Sequence, residues 1–360
     1  MKMALLAQQI FVCMASLLLA LSCASVDTSR TSNNDAAPHV PVFTSEAAEP
    51  VVLSPEDQTE DALNTTRRAD ESARAEGGAL PQLTPQEHMR RAAIYQANRA
   101  FEEARAHWRA LIERYPTDAN VPAAHFGIGR TLFQEKRYEE ALPVFQKLGD
   151  TYVSTTAGRD GFYYVAATLL RLNRPGEAAA RYAEYVERFP KGERIENAYL
   201  NIIDSLREAG RPDDALPWIE RTRALFKGTT TDTAALFARL RLDVSRSDWQ
   251  SALNTADELS RARLTREVNT TPTEVAYLRA FSLEKSGRKD EAVKAFQAIP
   301  DSAASYYGWL ATEHLEKLGG DAKTAAVARE ARVESEVRRA AGDFPAPFRD
   351  VVVRTSKQQK

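Results

Sequence analysis

One spacing governs what this chain can fold into. An alanine that follows a turn, and stands four places before an apolar or aromatic residue, recurs at positions 104, 141, 178, 215, 252 and 292. The intervals are 37, 37, 37, 37 and 40 residues. The instances are Phe101-Glu102-Glu103-Ala104 with Trp108, Tyr138-Glu139-Glu140-Ala141 with Phe145, and Pro175-Gly176-Glu177-Ala178 with Tyr182. Pro212-Asp213-Asp214-Ala215 with Ile219, Trp249-Gln250-Ser251-Ala252 with Ala256, and Lys289-Asp290-Glu291-Ala292 with Phe296 complete the series. A period of this length belongs to a supersecondary unit that buries its apolar face only by stacking on copies of itself.

Each unit reads as a pair of helices. Ahead of the alanines lie apolar faces of helical period: Phe126, Gly129 and Leu132; Tyr163, Ala166 and Leu169; Tyr199, Ile203 and Leu206. A small side chain where the second helix crosses the first lets the backbones approach, and the larger residue one turn later fills the gap to the next unit. Gly210 and Gly287 stand where a left-handed residue ends the first helix, and Pro116 and Pro190 close second helices. The fold class is therefore all-α, a solenoid of about six helix pairs over residues 85–300. A terminal helix pair follows at 301–342 and a tail at 343–360. Ala256 stands where an aromatic is expected, so 227–273 is predicted to be looser or bent, with Gly228-Thr229-Thr230-Thr231 and Asn269-Thr270-Thr271-Pro272 as loops.

The first residues read as an address. Lys2 is followed by an apolar run from Ile10 to Leu21 that only Ser16 interrupts, too short for a comfortable membrane span. It ends in Leu19-Ala20-Leu21-Ser22-Cys23, which resembles a bacterial lipobox; the resemblance implies that Cys23 carries the lipid. The usual pattern places leucine three residues before the cysteine, where this chain has Ala20. The alternative is an ordinary cleaved signal peptide. Ala24 after the cysteine is similar to lipoproteins sorted to the outer membrane, which implies a lipid-anchored protein facing the periplasm. Residues 24–84 are rich in Ala, Ser, Thr, Pro, Asp and Glu without a sustained apolar period, and are expected to be a disordered tether. Such a coil spans about 45 Å and stretches to about 200 Å.

The repeat resembles the tetratricopeptide repeat family over roughly 85–300. The endings Glu113-Arg114-Tyr115-Pro116 and Glu187-Arg188-Phe189-Pro190 are similar to the subgroup found in bacterial outer-membrane and periplasmic lipoproteins. The resemblance implies a right-handed superhelix whose groove is lined by the first helix of each pair. In that register Arg130, Gln134, Asp160, Tyr163, Arg171, Asn197, Asp204, Arg207, Arg241 and Tyr277 face the groove. Their mixed charge suits an extended peptide or a protein surface rather than a polyanion.

A second resemblance lies near the C-terminus. Ser305-Tyr306-Tyr307-Gly308-Trp309-Leu310-Ala311 and Asp343-Phe344-Pro345-Ala346-Pro347-Phe348 are similar to the helical segment and linker that precede the catalytic domain of soluble lytic murein transglycosylases. The catalytic glutamate-serine and Gly-Leu-Met-Gln elements of that family are not in this sequence. Tyr306, Tyr307 and Trp309 are thus either packing aromatics or a glycan-stacking surface.

Composition narrows the function classes. Net charge is −2, so no global basic field points to nucleic acid. The two cysteines, Cys13 and Cys23, both lie in the leader, and the five histidines (His39, His88, His107, His125, His314) show no ligand spacing, so neither a metal nor a cofactor is expected. No phosphate loop, nucleophile elbow or His-Glu-x-x-His stretch occurs. The expected function is a non-enzymatic envelope scaffold that binds a protein or peptide, held to the membrane by its lipid, with peptidoglycan as a further expected partner. The alternative is the non-catalytic helical portion of a lytic transglycosylase whose catalytic domain is missing or encoded separately. A third possibility is a component of outer-membrane protein assembly or of cell-division coordination.

Overall fold

A computed structural model describes residues 53–74, 79–302 and 304–342. The leader with Cys23, the tether up to residue 52 and the tail from 343 lie outside the described residues. Among the described residues there are fifteen α-helices and two short 3-10 turns, with no strand. They are α1 (Glu60–Ser72), α2 (Pro85–Ala97), α3 (Phe101–Arg114), α4 (Val121–Gln134), α5 (Tyr138–Thr151), α6 (Thr156–Arg171), α7 (Pro175–Arg188) and α8 (Ile195–Glu208). Then come α9 (Pro212–Leu225), α10 (Thr230–Ser245), α11 (Trp249–Leu259), α12 (Pro272–Lys285), α13 (Lys289–Ala298), α14 (Tyr306–Leu318) and α15 (Gly320–Gly342). Each helix from α2 onward packs on the next, and α4 also meets α6, α8 meets α10, and α12 meets α14. This is the pattern of stacked helix pairs, so the all-helical solenoid expected from the 37-residue spacing is the observed fold.

Local chemistry sets where each helix starts and stops. Four of the six first helices begin at hydroxyl caps: Thr84 accepts from the Glu87 amide at 3.2 Å, Thr155 from Gly158 at 3.0 Å, Thr229 from Asp232 at 3.3 Å, and Thr271 from Glu274 at 3.1 Å. Within the six pairs, the first helices end on residues of positive φ: Arg99, Lys136, Asn173, Gly210, Ser247 and Gly287. These repeat at 37, 37, 37, 37 and 40 residues, the same intervals as the alanines. Only two are glycine, so the tight turn is enforced by packing on either side despite a cost of about 1–2 kcal/mol at the others. Several second helices begin beside an arginine that clamps the acid three residues on: Arg137 on Glu140, Arg174 on Glu177, Arg211 on Asp214 and Arg288 on Glu291. These pairs are exposed, so they orient the turn more than they stabilise it.

The packing bears out the crossing argument. Ala104, Ala141, Ala178, Ala252 and Ala292 are wholly buried and Ala215 nearly so, and Trp108, Phe145, Tyr182, Ile219 and Phe296 are buried one turn later. The facing helix makes room for the aromatics. A Cβ on Gly127 would lie 2.5 Å from the Trp108 ring, and one on Gly129 would lie 2.6 Å from Phe145. A second buried column, Thr131, Thr168 and Ser205, repeats at the same 37-residue interval along the first helices. The Thr131 and Thr168 hydroxyls donate back to their own helix, to Ile128 O at 2.9 Å and Tyr164 O at 2.6 Å, whereas the Ser205 hydroxyl has no partner.

The 40-residue interval has a visible cause. α11 has 11 residues against 14 in α3, α5, α7 and α9, and the connection after it runs from 260 to 271 with a 3-10 turn at Arg266–Val268. Val268 from that turn is buried in the same apolar cluster as Ala256, Leu240 and Leu259. The region expected to be loose is therefore closed, with the connection supplying the bulk that Ala256 lacks. The core is divided at this point into three clusters instead of running unbroken. Thr230 and Thr231, expected in a loop, lie in the first turn of α10, because Thr229 caps that helix by accepting from the Asp232 amide.

Both ends of the array depart from a simple stack. Residues 60–72 were expected to be tether, yet they form α1, capped by Thr59 and docked on α2 and α3 through Leu63, Thr66 and Asp70. At the other end, Arg329 of α15 is buried and donates to Ile299 O at 2.8 Å, Gly308 O at 3.2 Å and Thr312 Oγ1 at 2.9 Å. Ala178→Trp should lower stability by about 1–3 kcal/mol or more, because the crossing has no room for the ring. A thermal melt unchanged from wild type would mean that the helices do not cross at this alanine.

Candidate functional site

The surface with the best claim to function is the side of the array formed by its first helices, α4, α6, α8, α10 and α12. Arg130 and Gln134 on α4, Arg171 on α6 and Asn197 on α8 are exposed there. Asp204 and Arg207 on α8 pair at 3.0 Å with side chains 42% and 33% open to solvent. Burial nonetheless pushes the Asp204 carboxyl up, and burial together with the Asp204 charge does the same to the exposed Glu208 one turn on. A carboxylate partly open to water yet crowded by surrounding protein is solvated by fewer water molecules than a free one.

Other expected groove residues do different work. Asp160 accepts a bidentate pair of bonds from Arg194, at 2.6 Å and 3.1 Å. The same guanidinium lies 5.3 Å from the centre of the Tyr163 ring and 5.4 Å from that of Tyr164. Tyr163 is itself buried, and its hydroxyl accepts from Asn201 Nδ2 at 2.7 Å. Asp160 and Tyr163 thus bind α6 to the start of α8 and consolidate the face instead of being free to grip a ligand. Beside them a cleft of about 430 Å³ is lined by Thr156, Arg159, Asp160, Tyr185, Phe189 and Lys191, among others. Arg241 is half-buried, its guanidinium 5.7 Å from the Phe237 ring centre.

Tyr277 belongs to an aromatic stack at the C-terminal end. Its ring lies 5.5 Å from Tyr307 and 6.0 Å from Phe296, and its hydroxyl is 3.1 Å from His314 Nε2, whose Nδ1 meets Glu284 at 2.5 Å. Tyr307 therefore packs against α12. Tyr306 and Trp309 do not share that fate: they are 55% and 45% exposed, with ring centres 6.2 Å apart. The first helix of the terminal pair, α14, thus carries one packing aromatic and one open pair.

Sequence spacing missed a buried polar cluster at the N-terminal end. His88 and His107 stand 19 residues apart, but α2 and α3 bring their Nδ1 atoms within 3.0 Å. Asp70 of α1 accepts from His107 Nε2 at 2.9 Å, from the Tyr95 hydroxyl at 2.6 Å and from Arg91. Asp70, His88, Tyr95 and His107 are all at most 3% exposed, so no substrate can reach them. The carboxylate can only accept, so His107 carries its proton on Nε2 and a single proton lies between the two Nδ1 atoms. Burial alone would raise Asp70, but hydrogen bonds from His107 and Tyr95 outweigh it and hold the group at about 2. Burial, and then the neighbouring His107, holds His88 down at about 4, and its Nε2 has no partner. No group of three His, Cys, Asp or Glu among the described residues is placed to hold a metal ion.

The cluster makes stability depend on pH. His88 is neutral in the folded protein and titrates near its ordinary 6.5 when unfolded, so its contribution is complete above pH 6.5 and is lost as pH falls from 6.5 towards 4. Asp70 stays ionised throughout that window. Wild type should lose about 2 kcal/mol between pH 7 and pH 5 that His88→Phe does not lose. Urea melts of both at the two pH values check this; equal losses would remove His88 from the account.

Residues 89–150 and 166–228 match one tetratricopeptide repeat model, and residues 274–303 match a second. Solved structures of similar shape include a tetratricopeptide repeat protein from Parabacteroides merdae ATCC 43184, with 11% identity, 76% of this chain and 98% of that one covered, and a TM-score of 0.47. Another is YrrB, described as a TPR protein with an unusual peptide-binding site, with 20% identity, 57% and 96% coverage and a TM-score of 0.39. PilW, described as a widely conserved type IV pilus biogenesis factor, aligns with 14% identity, 60% and 91% coverage and a TM-score of 0.42. No curated protein matches the sequence. Three segments of this chain, each lying within its helix pairs, thus match the tetratricopeptide repeat.

Proposed function

We propose that this array is a protein-interaction scaffold that receives an extended peptide or a protein surface along its first helices. The observation that carries this is the row of solvent-open polar side chains on successive first helices, Arg130 and Gln134 on α4, Arg171 on α6, and Asn197 with the Asp204–Arg207 pair on α8. Arg241 stands half-buried on the next first helix, α10. Charges of both signs, spread over several repeats, suit a partner with its own alternating charges, which would gain orientation as well as affinity.

We further propose that the scaffold works in a bacterial envelope, anchored by lipid on Cys23 and facing the periplasm from the outer membrane. Support comes from Lys2, the apolar run to Leu21 and the small residues before the cysteine. A stable anchor requires more than one acyl chain, as a lipidated N-terminal cysteine would provide. A role in cell-wall or outer-membrane maintenance follows from that location.

A photo-crosslinking amino acid at Asn197 or Arg171 in the full-length protein should capture a partner in living cells, whereas the same group at Arg181, exposed on second helix α7, should not. Equal capture at all three would show that the first-helix side is not the binding face. In the same cells Cys23→Ala should move the protein from the membrane fraction to the soluble fraction; retention on membranes would contradict the lipid anchor.

A further inference from the structure

The connection at 260–271 is the irregular junction of this array. The other links from a second helix to the next first helix, at 115–120, 152–155, 189–194, 226–229 and 299–305, are four to seven residues long. This one has twelve. Additional backbone costs conformational entropy to order, and here it is ordered. Val268 is buried in the α10–α12 core, Thr270 Oγ1 donates to Glu274 at 2.8 Å, and Asn269 takes a left-handed turn at φ 57°.

What the ordered segment presents is charge. Arg261, Arg263 and Arg266 are all exposed, and among the described residues none lies within 4.0 Å of a carboxylate. The setting makes this notable, because nearby arginines are paired: Arg223 with Asp232 and Glu258, Arg239 with Glu220 and Asp243, Arg246 with Asp213, and Arg279 with Asp257. The carboxylates that precede the connection, Asp257 and Glu258, are thus already engaged by other helices. Glu267 is the connection's sole acid. Three guanidiniums are left facing water on a pinned backbone.

We propose that the 260–271 connection is a docking surface for an acidic segment of a partner protein, whose Asp and Glu carboxylates are received by Arg261, Arg263 and Arg266. Guanidinium is the side chain best suited to this, since its planar fork takes a carboxylate through two parallel hydrogen bonds. Pinning through Val268 reduces the ordering cost that binding would otherwise carry. An anionic lipid surface is the less favoured source of negative charge. The apolar side chains of the connection turn inward, Val268 buried and Leu264 half-buried against the core, and leave no large apolar group to enter a bilayer. The surface is independent of the first-helix side and would engage a partner's acidic stretch whether or not that side is occupied.

The test uses the full chain and two defined probes. One is a fluorescein-labelled dodecapeptide of alternating Glu and Gly, with a Gln–Gly peptide as its neutral counterpart. The other is vesicles containing one third phosphatidylglycerol. The Glu–Gly peptide should bind, the Gln–Gly peptide should not, and binding should weaken as NaCl rises from about 50 to 200 mM. The combined R261A, R263A and R266A variant should bind at least about tenfold more weakly, while Arg137→Ala, at an exposed paired arginine, should bind as wild type. The triple variant breaks no ion pair and should melt as wild type, so weaker binding will not reflect unfolding. Equal peptide affinity of wild type and the triple variant would overturn the proposal. Arginine-dependent binding of vesicles without binding of the peptide would overturn it in favour of a membrane surface.

Discussion

Close approach of helix backbones is the constraint on which the rest depends. Two helices can cross near contact only where the side chains between them are small, and this chain supplies alanine, glycine, threonine or serine at those places. Once the crossing is set, the aromatic one turn beyond has a single place to go. Trp108 lies over Gly127 and Phe145 over Gly129 so tightly that one added carbon would collide. The left-handed turn follows too: Lys136, Asn173 and Ser247 adopt positive φ because the helices on either side leave no other path.

A stack of like units buries its interior but leaves two raw ends. Here both are closed by polar clasps. At the N-terminal end Asp70 on α1 gathers His107, Tyr95 and Arg91, and at the C-terminal end Arg329 on α15 takes carbonyls from the α13–α14 connection and from α14. Polar clasps specify one docking geometry, since a buried donor or acceptor left unmet costs about 1–3 kcal/mol. They also make an end sensitive to conditions in a way that alanine crossings are not. The His88–His107 pair, sharing one proton, is the clearest instance.

Legibility in the sequence tracked the same physics. Positions 104, 141, 178, 215, 252 and 292 could be read as crossings because smallness at a crossing is required of the residue itself, whatever its neighbours. Helix α1 could not be read that way. Its docking face is anchored by Asp70 and Thr66, which look like tether residues until His107 and Tyr95 are placed opposite. His88 and His107 meet only because α2 turns back on α3, and no local spacing encodes that. Among the groove residues, register placed Arg130, Gln134, Arg171 and Asn197 on an open face, but it could not tell that Tyr163 is buried or that Asp160 is claimed by Arg194. Those outcomes are decided by side chains one repeat away.

The irregular stretch from 256 to 271 shows how the array absorbs a departure. Ala256 removes bulk and α11 loses about a turn, while the lengthened connection returns Val268 to the core. The repeat is therefore a spacing of crossings, not a fixed sequence, and the central claim is that 37 residues make one complete, interchangeable unit. The most direct measurement is a deletion. Removing residues 175–211 joins Arg174 to Pro212, restores an Arg-Pro junction, and takes out α7 and α8 together. This shortened protein should keep its helicity per residue and a single cooperative melt, whereas removing 175–208 should break the register and lose both. Cooperative folding of the 34-residue deletion with collapse of the 37-residue one would contradict it.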